Sequence, residues 1–256
     1  MTTSITAGAS APLHIEIRHV PMRRALSWLG RGWDDLTHVG GAGLAHGALI
    51  AVLGAVLLML GSSHVYLTAA AVTGYLLVGP VMTTGLCELA RRREAHLPLG
   101  FDESLQALTR NPEGLMHFGG VLALVALLWF ALSAVLLASV HSTSVPSLAV
   151  ALWGGAAPLD AAQMLGYLAC GAVLAVMVFA VSVVAVPLII ERHAGAAEAI
   201  GASLRVTVAN LPAMLLWAAL IVALTALGFL TLLLGMVVVA PLLGYATWHA
   251  YRDLVV

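Results

Sequence analysis

Three histidines are the residues of this sequence whose type and placement could support metal chemistry. His46 and His117 end the related motifs Gly-Leu-Ala-His and Gly-Leu-Met-His near the start of two apolar segments, and His249 lies near the end of another. Neutral imidazole binds haem iron, copper or zinc, and Met116 and Cys87 would suit copper. The alternative interpretation is that each histidine hydrogen-bonds a backbone carbonyl or a lipid headgroup. The sequence therefore gives His46, His117 and His249 as a candidate metal cluster, provided that the fold brings them together.

Sequence motifs for other kinds of chemistry are not found. The sequence has no phosphate-binding loop, no Gly-X-Ser-X-Gly, no His-Glu-X-X-His and no pair of carboxylates on one helical face. Its two cysteines, Cys87 and Cys170, lie inside apolar segments and form no zinc or disulfide pattern. Glu88 comes four residues before Arg92, and this spacing favours a surface ion pair over a functional carboxylate. The sequence therefore predicts no catalytic residue and no cofactor.

The elements that must position the histidines are membrane helices. Of the 256 residues, 61% are apolar and only 9% are charged, whereas a soluble domain carries about 45–50% apolar and about 25% charged residues. A water-soluble fold of this size cannot hide so much apolar surface, but a bilayer accommodates it. The net charge of −1 gives no basic excess for nucleic acid. Composition therefore predicts an integral membrane protein whose first partner is the lipid bilayer.

Six apolar segments are predicted to cross the membrane. A helix needs about 20 apolar residues to span the bilayer core, and four segments satisfy this directly. The apolar block at 212–250 is too long for one span, so we divide it at Gly228, where glycine can supply a tight reversal. The predicted spans are residues 39–61, 65–90, 115–140, 164–190, 212–228 and 230–250. Residues 21–256 then form a single transmembrane domain after a disordered tail at 1–20.

The arginines test this count, because short arginine-rich loops stay in the cytoplasm. Six spans place all eleven of them on one side of the membrane: Arg18, Arg23, Arg24, Arg31, Arg91, Arg92, Arg93, Arg110, Arg192, Arg205 and Arg252. Both termini are therefore predicted in the cytoplasm. The absence of lysine indicates a GC-rich bacterial genome, and hence a bacterial inner membrane. The loop at 142–162 is the sizeable outer element, with Trp153 as its interfacial anchor.

An internal repeat is the second prediction about architecture. Amphipathic segments at 22–33, 102–110 and 196–208 each precede a pair of spans, and such helices lie in the membrane interface. Ser104-Leu105 recurs as Ser203-Leu204, 99 positions later. The even spans share a proline, which kinks a membrane helix. These features predict an all-α polytopic bundle of three parallel hairpin repeats, each preceded by an interfacial amphipathic helix. A stripe of small residues from Gly40 to Gly54 predicts close helix packing, either internal or with a partner chain.

Three short sequences resemble a known family. They are Asn-Leu-Pro-Ala-Met-Leu-Leu-Trp at 210–217, the proline-containing segment at 239–252, and Val-Gly-Pro at 78–80. They resemble a bacterial integral-membrane family designated domain of unknown function 2189, over residues from about 21 to the end. Members are sometimes labelled cytochrome c oxidase subunit I. Those oxidase subunits use more spans and a histidine set that this sequence does not contain. The resemblance implies a membrane fold and adds no activity.

The function follows from what the spans contain. Ionisable residues inside spans mark ion and proton pathways, and the central turns of the third to sixth predicted spans have no Asp, Glu or Arg. We therefore predict a non-catalytic scaffold or assembly factor that binds another membrane protein or a respiratory complex. A binder or carrier of a lipid or quinone is the alternative, because proline kinks could open a groove between hairpins. A weaker alternative is haem or copper handling by the three histidines.

Overall fold

The computed structural model describes residues 15–61, 71, 74–75, 79–140 and 161–256. These residues are helical apart from short connections and a β-bridge between Ile17 and Val255, so the all-α class is confirmed. The helices are α1 (Arg24–Val39), α2 (Gly41–Gly61), α3 (Thr84–Glu94), α4 (Phe101–Leu105), α5 (Ala107–Arg110), α6 (Pro112–Val140), α7 (Ala161–Ser182), α8 (Ala185–Arg192), α9 (Ala196–Ala209), α10 (Leu211–Leu230) and α11 (Met236–Leu254). Most of the predicted tail at 1–20, most of the predicted outer loop with Trp153, and much of the predicted span 65–90 lie outside the described residues.

Four segments are long and apolar enough to cross a membrane. They are Gly41–Met59, Pro112–Ser133, Leu165–Arg192 and Leu211–Leu230. They overlap the predicted spans 39–61, 115–140, 164–190 and 212–228. The sixth predicted span, 230–250, overlaps α11, which begins with apolar residues and ends with Trp248, His249, Tyr251, Arg252 and Asp253. The protein is therefore a multi-pass membrane protein with four candidate spans among the residues described.

The reversal between α10 and α11 is not at Gly228. Helix α10 continues to Leu230, and the chain turns over residues 231–235. Leu232 and Leu233 both have positive φ angles there, of 53° and 67°. The hydroxyl oxygen of Thr231 accepts a hydrogen bond of 2.8 Å from the backbone N–H of Gly235, which closes the turn. Gly228 instead makes room for Met236, because a Cβ at Gly228 would lie 2.4 Å from the Met236 sulfur.

The small-residue stripe of α2 packs against α11, so its packing is internal. A Cβ placed on Gly43 would lie 2.1 Å from the hydroxyl of Tyr245. A Cβ on Gly47 would lie 2.1 Å from the carbonyl oxygen of Val237. Gly40 has a different role, since its φ of +59° separates α1 from α2 in a conformation that residues with a side chain adopt with strain.

The backbone near two of the prolines, Pro80 and Pro241, has identifiable neighbours. Pro241 has no N–H, so the Val237 carbonyl of the preceding turn loses its usual donor, and that carbonyl faces Gly47 of α2. Near Pro80, the hydroxyls of Thr83 and Thr84 donate to carbonyl oxygens three residues back, at 2.8 and 2.6 Å. The two threonine hydroxyls therefore bond carbonyls of the helical turn that begins at Pro80.

The interruption between α7 and α8 is closed from another helix. Residues 183 and 184 form a turn between the end of α7 and the start of α8. Pro187 follows three residues after this turn. The Ser203 hydroxyl of α9 donates to the Ala180 carbonyl at 2.8 Å and accepts from the Val184 N–H at 3.5 Å. The Ser182 hydroxyl donates to the Val178 carbonyl of its own helix at 2.6 Å, so it does not bond across the interruption.

The amphipathic segments form helices with one buried and one exposed side. In α1, Trp28 is buried in the core while Leu26 and Trp33 are 53% and 54% exposed. In α9, Ala202 and Val206 are buried while Val208 is 74% exposed. The segment predicted at 102–110 is two short helices, α4 and α5, which meet at Gln106. Exposed apolar side chains on otherwise amphipathic helices are typical of a membrane interface.

Candidate functional site

The charged ends of α1, α3, α8 and α11 meet in one layer, which we call the polar rim. It consists of six carboxylates and their donors, and the carboxylates are Asp34, Asp35, Glu88, Glu94, Glu191 and Asp253. Sequence analysis places these arginine-rich segments on one side of the membrane, and the structure brings them into direct contact. The polar rim is therefore the described part of the molecule where ionisable groups are concentrated.

Asp253, at the end of α11, joins that helix to α1. Its carboxylate accepts hydrogen bonds from Arg24 Nε at 2.7 Å, Arg31 Nη2 at 2.5 Å and Trp28 Nε1 at 2.7 Å. Burial alone would raise the pKa of the Asp253 carboxyl, but the hydrogen bonds from Arg24, Trp28 and Arg31 outweigh burial and lower it. The same interaction raises the pKa of Arg24. Asp253 is therefore held as a carboxylate over the whole physiological range.

Asp35 joins α1 to both α11 and α3. His249 Nε2 lies 2.8 Å from Asp35 Oδ2, and Arg93 donates to the other oxygen of the same carboxylate. Arg93 also donates to Asp34 Oδ2 at 2.7 Å, and this bond lowers the pKa of the Asp34 carboxyl. Asp35 is only 3% exposed, so removing either donor would leave a buried charge with fewer partners.

Glu88 is the most deeply buried carboxylate of the rim. It has no exposed surface, and it accepts two hydrogen bonds from Arg91, at 2.8 and 2.7 Å, and one from Arg92 at 3.0 Å. Arg92 in turn donates to Gln106 Oε1 at 2.6 Å and to the Pro98 carbonyl at 3.1 Å. The predicted pair with Arg92 is present, but it is buried and ties α3 to the connection before α6. It is not a surface pair.

Glu94 and Glu191 complete the rim around the end of α11. Trp248 Nε1 donates to Glu94 at 2.9 Å, and the Tyr251 hydroxyl donates to Glu191. Arg252 lies between them, 3.1 Å from Glu94 and 3.4 Å from Glu191. Each of the six rim carboxylates is thus engaged by donors from another part of the fold or from its own helix. At the buried carboxylates Asp35, Glu88 and Asp253, removing one partner costs more than the net stabilisation that the pair provides.

The three candidate metal ligands have different surroundings. His46 Nδ1 lies 3.0 Å from the Ala42 carbonyl and its Nε2 lies 3.2 Å from Ser104 Oγ. His249 is paired with Asp35, and His117 is exposed on α6. Among the residues that the structure describes, no group of three or more His, Cys, Asp and Glu side chains is arranged to hold a metal ion. The haem or copper role of His46, His117 and His249 stays a prediction.

Two asparagine side chains bond backbone carbonyls of distant segments, a role that was not predicted from the sequence. Asn111 Nδ2 donates to the carbonyls of Ala194 at 3.0 Å and Ile189 at 3.3 Å, which fixes the connection before α9. Asn210 Nδ2 donates to the Arg18 carbonyl at 3.2 Å and fixes the segment before α1. Their recurrence 99 positions apart was the available signal. Both side chains therefore hold the chain that leads into an interfacial helix.

An apolar groove lies beside the His46 imidazole. It has a volume of about 360 Å³ and is lined by Ala45, Ala48, Leu49, Val52 and Phe101. The Phe101 ring, from α4, also packs on His46 with a centroid separation of 4.8 Å. The groove opens towards the side of α2 where Leu49 and Val52 are about 60% exposed (58% and 61%). Its lining suits a hydrocarbon chain and offers no charged side chain.

The chain is similar to one known family. The family model described as "Predicted integral membrane protein (DUF2189)" matches residues 67–191. The resemblance predicted from the sequence is therefore confirmed over the segment that ends at α8. No curated protein and no solved structure matches the chain.

Proposed function

We propose that this integral membrane protein is a non-catalytic scaffold or accessory factor of a membrane complex in the bacterial inner membrane. The observation that carries the proposal is the polar rim, in which donors engage each of the six carboxylates and most of these pairs join different helices. Asp35, Glu88 and Asp253 are buried and paired, and we infer that these ion pairs specify the arrangement of the helices rather than supply proton transfer. Around the rim, large apolar side chains of α2, α6, α7 and α10 are exposed, and they are the surface on which lipid or a partner helix packs.

Six spans with both termini in the cytoplasm are part of the proposal. The rim supports this topology, because Arg24 contacts the end of α11, Arg93 contacts α1, and Arg252 contacts both Glu94 and Glu191. Segments in direct contact lie on the same side of the membrane. An arginine-rich side faces the cytoplasm. Because α1 and the end of α11 then lie on the same side, the chain between them crosses the membrane an even number of times.

We propose that three hairpins form a closed ring. The first contains α2 and α3, the second contains α6, α7 and α8, and the third contains α10 and α11. The helix α1 packs on α11 and α10, α4 packs on α3 and α2, and α9 packs on α7, α8 and α6. Each interfacial helix thus contacts the hairpin that precedes its own, and α1 closes the ring by contacting the third. Asn111 and Asn210 support the same order, since each holds the segment that enters the next interfacial helix.

Purification from native membranes tests the scaffold role. The chain, tagged and expressed at its native level, is extracted in a mild detergent and analysed by mass spectrometry and by its mass in solution. A stoichiometric membrane partner is the expected result. An Arg252→Gln variant is the control. It should weaken the ion pairs of the rim and leave the exposed apolar surface unchanged, so it shows whether partner binding depends on the rim. Recovery of a clean monomer from native membranes would contradict the scaffold role.

A lipophilic binder is the second candidate, and the apolar groove on α2 favours it. A lipid or quinone tail would lie along Ala48 and Leu49 under the Phe101 ring. Ala48→Phe would fill the groove, whereas Val56→Phe adds the same ring to the same helix outside it. Native mass spectrometry of the three proteins should show a discrete adduct in the wild type and in Val56→Phe only. Retention of bulk phospholipid alone, equal in all three, would remove this candidate.

A further inference from the structure

The arginines of this protein fall into two groups by their partners. Eight have a carboxylate or carbonyl acceptor: Arg24, Arg31, Arg91, Arg92, Arg93, Arg110, Arg192 and Arg252. The side chains of Arg18, Arg23 and Arg205 have no such acceptor within the described part of the chain, and all three residues are exposed. An exposed guanidinium without a protein partner is available for an external anion.

These three arginines belong to one corner of the fold. The segment that carries Arg18 is fixed to the junction of α9 and α10, because His19 Nδ1 lies 3.0 Å from the Ala209 carbonyl and the Val20 N–H donates to Asn210 Oδ1 at 2.8 Å. Arg205 is one turn before Ala209 on α9, and Arg23 immediately precedes α1. We call Arg18, His19, Arg23 and Arg205 the basic corner.

Exposed apolar side chains flank the basic corner on both helices. Met22 and Leu26 of the α1 side are 50% and 53% exposed, and Leu204 and Val208 of α9 are 42% and 74% exposed. A helix that alternates such residues with arginine lies at the level of the lipid headgroups, with its apolar side chains among the acyl chains. The guanidinium groups at that level face lipid phosphates rather than bulk water.

We propose that the basic corner binds the headgroup of an anionic phospholipid. Charge complementarity identifies this occupant, because three cations without protein acceptors stand beside side chains that enter the hydrocarbon. The planar guanidinium donates paired hydrogen bonds to phosphate oxygens. The net negative charge of the headgroup distinguishes an anionic lipid from a zwitterionic one with the same chains. The inference rests on the position of α1 and α9 at a membrane surface and is independent of the scaffold role.

Native mass spectrometry of the full chain tests this site. Purified protein is titrated with phosphatidylglycerol or phosphatidylcholine of identical acyl chains. Each arginine at an anionic membrane surface contributes about 1 kcal/mol, which corresponds to about fivefold in affinity. Three additive contributions amount to about 100-fold, so we expect phosphatidylglycerol to bind up to about 100-fold more tightly and the variant Arg18→Gln/Arg23→Gln/Arg205→Gln to lose that preference. Arg252→Gln removes the same charge from a paired arginine and should keep it.

Two further measurements separate the possible outcomes. Arg205→Gln alone, on the exposed surface of α9, should lower the preference by about fivefold while leaving the melting temperature unchanged. Inorganic phosphate at millimolar concentration should not compete with the lipid, and full competition would show a site for a soluble anion and overturn the proposal. Equal binding of the two lipids by the wild type, or an unchanged preference in the triple variant, would also overturn it.

Discussion

Gly43→Ala is expected to destabilise the protein because the new methyl group would clash with the hydroxyl oxygen of Tyr245. The new Cβ would lie 2.1 Å from the Tyr245 hydroxyl, where ordinary contact begins at 3.4 Å, so the two atoms overlap by 1.3 Å. Overpacking of this kind costs about 1–3 kcal/mol. At about 2–4 °C per kcal/mol for a chain of this size, the melting temperature should fall by several degrees. Alanine improves helix propensity by about 1 kcal/mol over glycine, which offsets part of the loss.

Tyr245→Phe should rescue Gly43→Ala. The Tyr245 hydroxyl is buried and has no hydrogen-bond partner among the residues that the structure describes, and removing such a group relieves a desolvation cost of about 1–3 kcal/mol. It also removes the atom in conflict, since the next contact of the new Cβ is with Cζ at 3.1 Å. The double variant should therefore be at least as stable as the wild type. A double-mutant cycle on the melting temperature in detergent would show strong coupling between the two sites.

Gly47→Ala is the matched control for this reasoning. Its new Cβ would meet the backbone of Val237, at 2.1 Å from the oxygen and 2.7 Å from the carbon, which no side-chain substitution removes. Gly47→Ala should thus be at least as destabilising as Gly43→Ala, and Tyr245→Phe should have only its own additive effect. A fully stable Gly43→Ala, or a double variant as unstable as Gly43→Ala alone, would refute the packing of α2 on α11 described above.

Four further predictions follow from the rim and the helix interruptions. The pKa of the Asp253 carboxyl is lowered in the folded protein. The ionised carboxylate therefore stabilises the folded state fully above the unfolded carboxyl pKa, and this stabilisation is lost as pH falls through the lower folded value. Thermal melts of Asp253→Asn at acidic pH should show a weaker pH dependence than those of the wild type. Ser203→Ala should lower stability by about 1–3 kcal/mol, because the buried Val184 N–H loses its acceptor and the Ala180 carbonyl keeps only the longer bond from Thr207 at 3.4 Å. His249→Ala should destabilise the protein and His117→Ala should not, and visible absorption with metal analysis of the same samples will show whether either residue holds haem or copper. A reporter fused to the C-terminus should read cytoplasmic, and an outside reading would exclude six spans.

Local patterns in the sequence predicted the local structure. Apolar length gave the four candidate spans, and the period of buried and exposed residues gave α1 and α9. The same was true of the stripe on α2, because small residues at three- and four-residue spacing have few uses other than close packing. These features depend on neighbours in the chain, and a single sequence displays them directly.

Pairings between distant segments could not be predicted in the same way. Asp35 and His249 are 214 positions apart, and nothing near either residue indicates the other. The turn at 231–235 was missed because Leu232 and Leu233 carry no turn signal. Leu233 is buried while Leu232 is 86% exposed, and the turn is closed by the Thr231 side chain rather than by a glycine. Ser104 and Ser203 were recognised as a repeat, but their partners depend on which hairpin lies next to which interfacial helix.

The contact between α1 and α11 sets an order for biogenesis. Trp28 and Asp253 are 225 positions apart, so a ribosome that has already delivered α1 to the membrane must synthesise and insert most of the chain before Arg24, Trp28 and Arg31 find their carboxylate. During that interval α1 can contact α2 and α3, but the side of α1 that carries Trp28 lacks the surface of α11 on which it packs. Contacts of such long range form late and leave intermediates open to wrong association. The hydrogen bonds from Arg24, Trp28 and Arg31 to Asp253 are therefore among the last contacts to form, after α11 has been made.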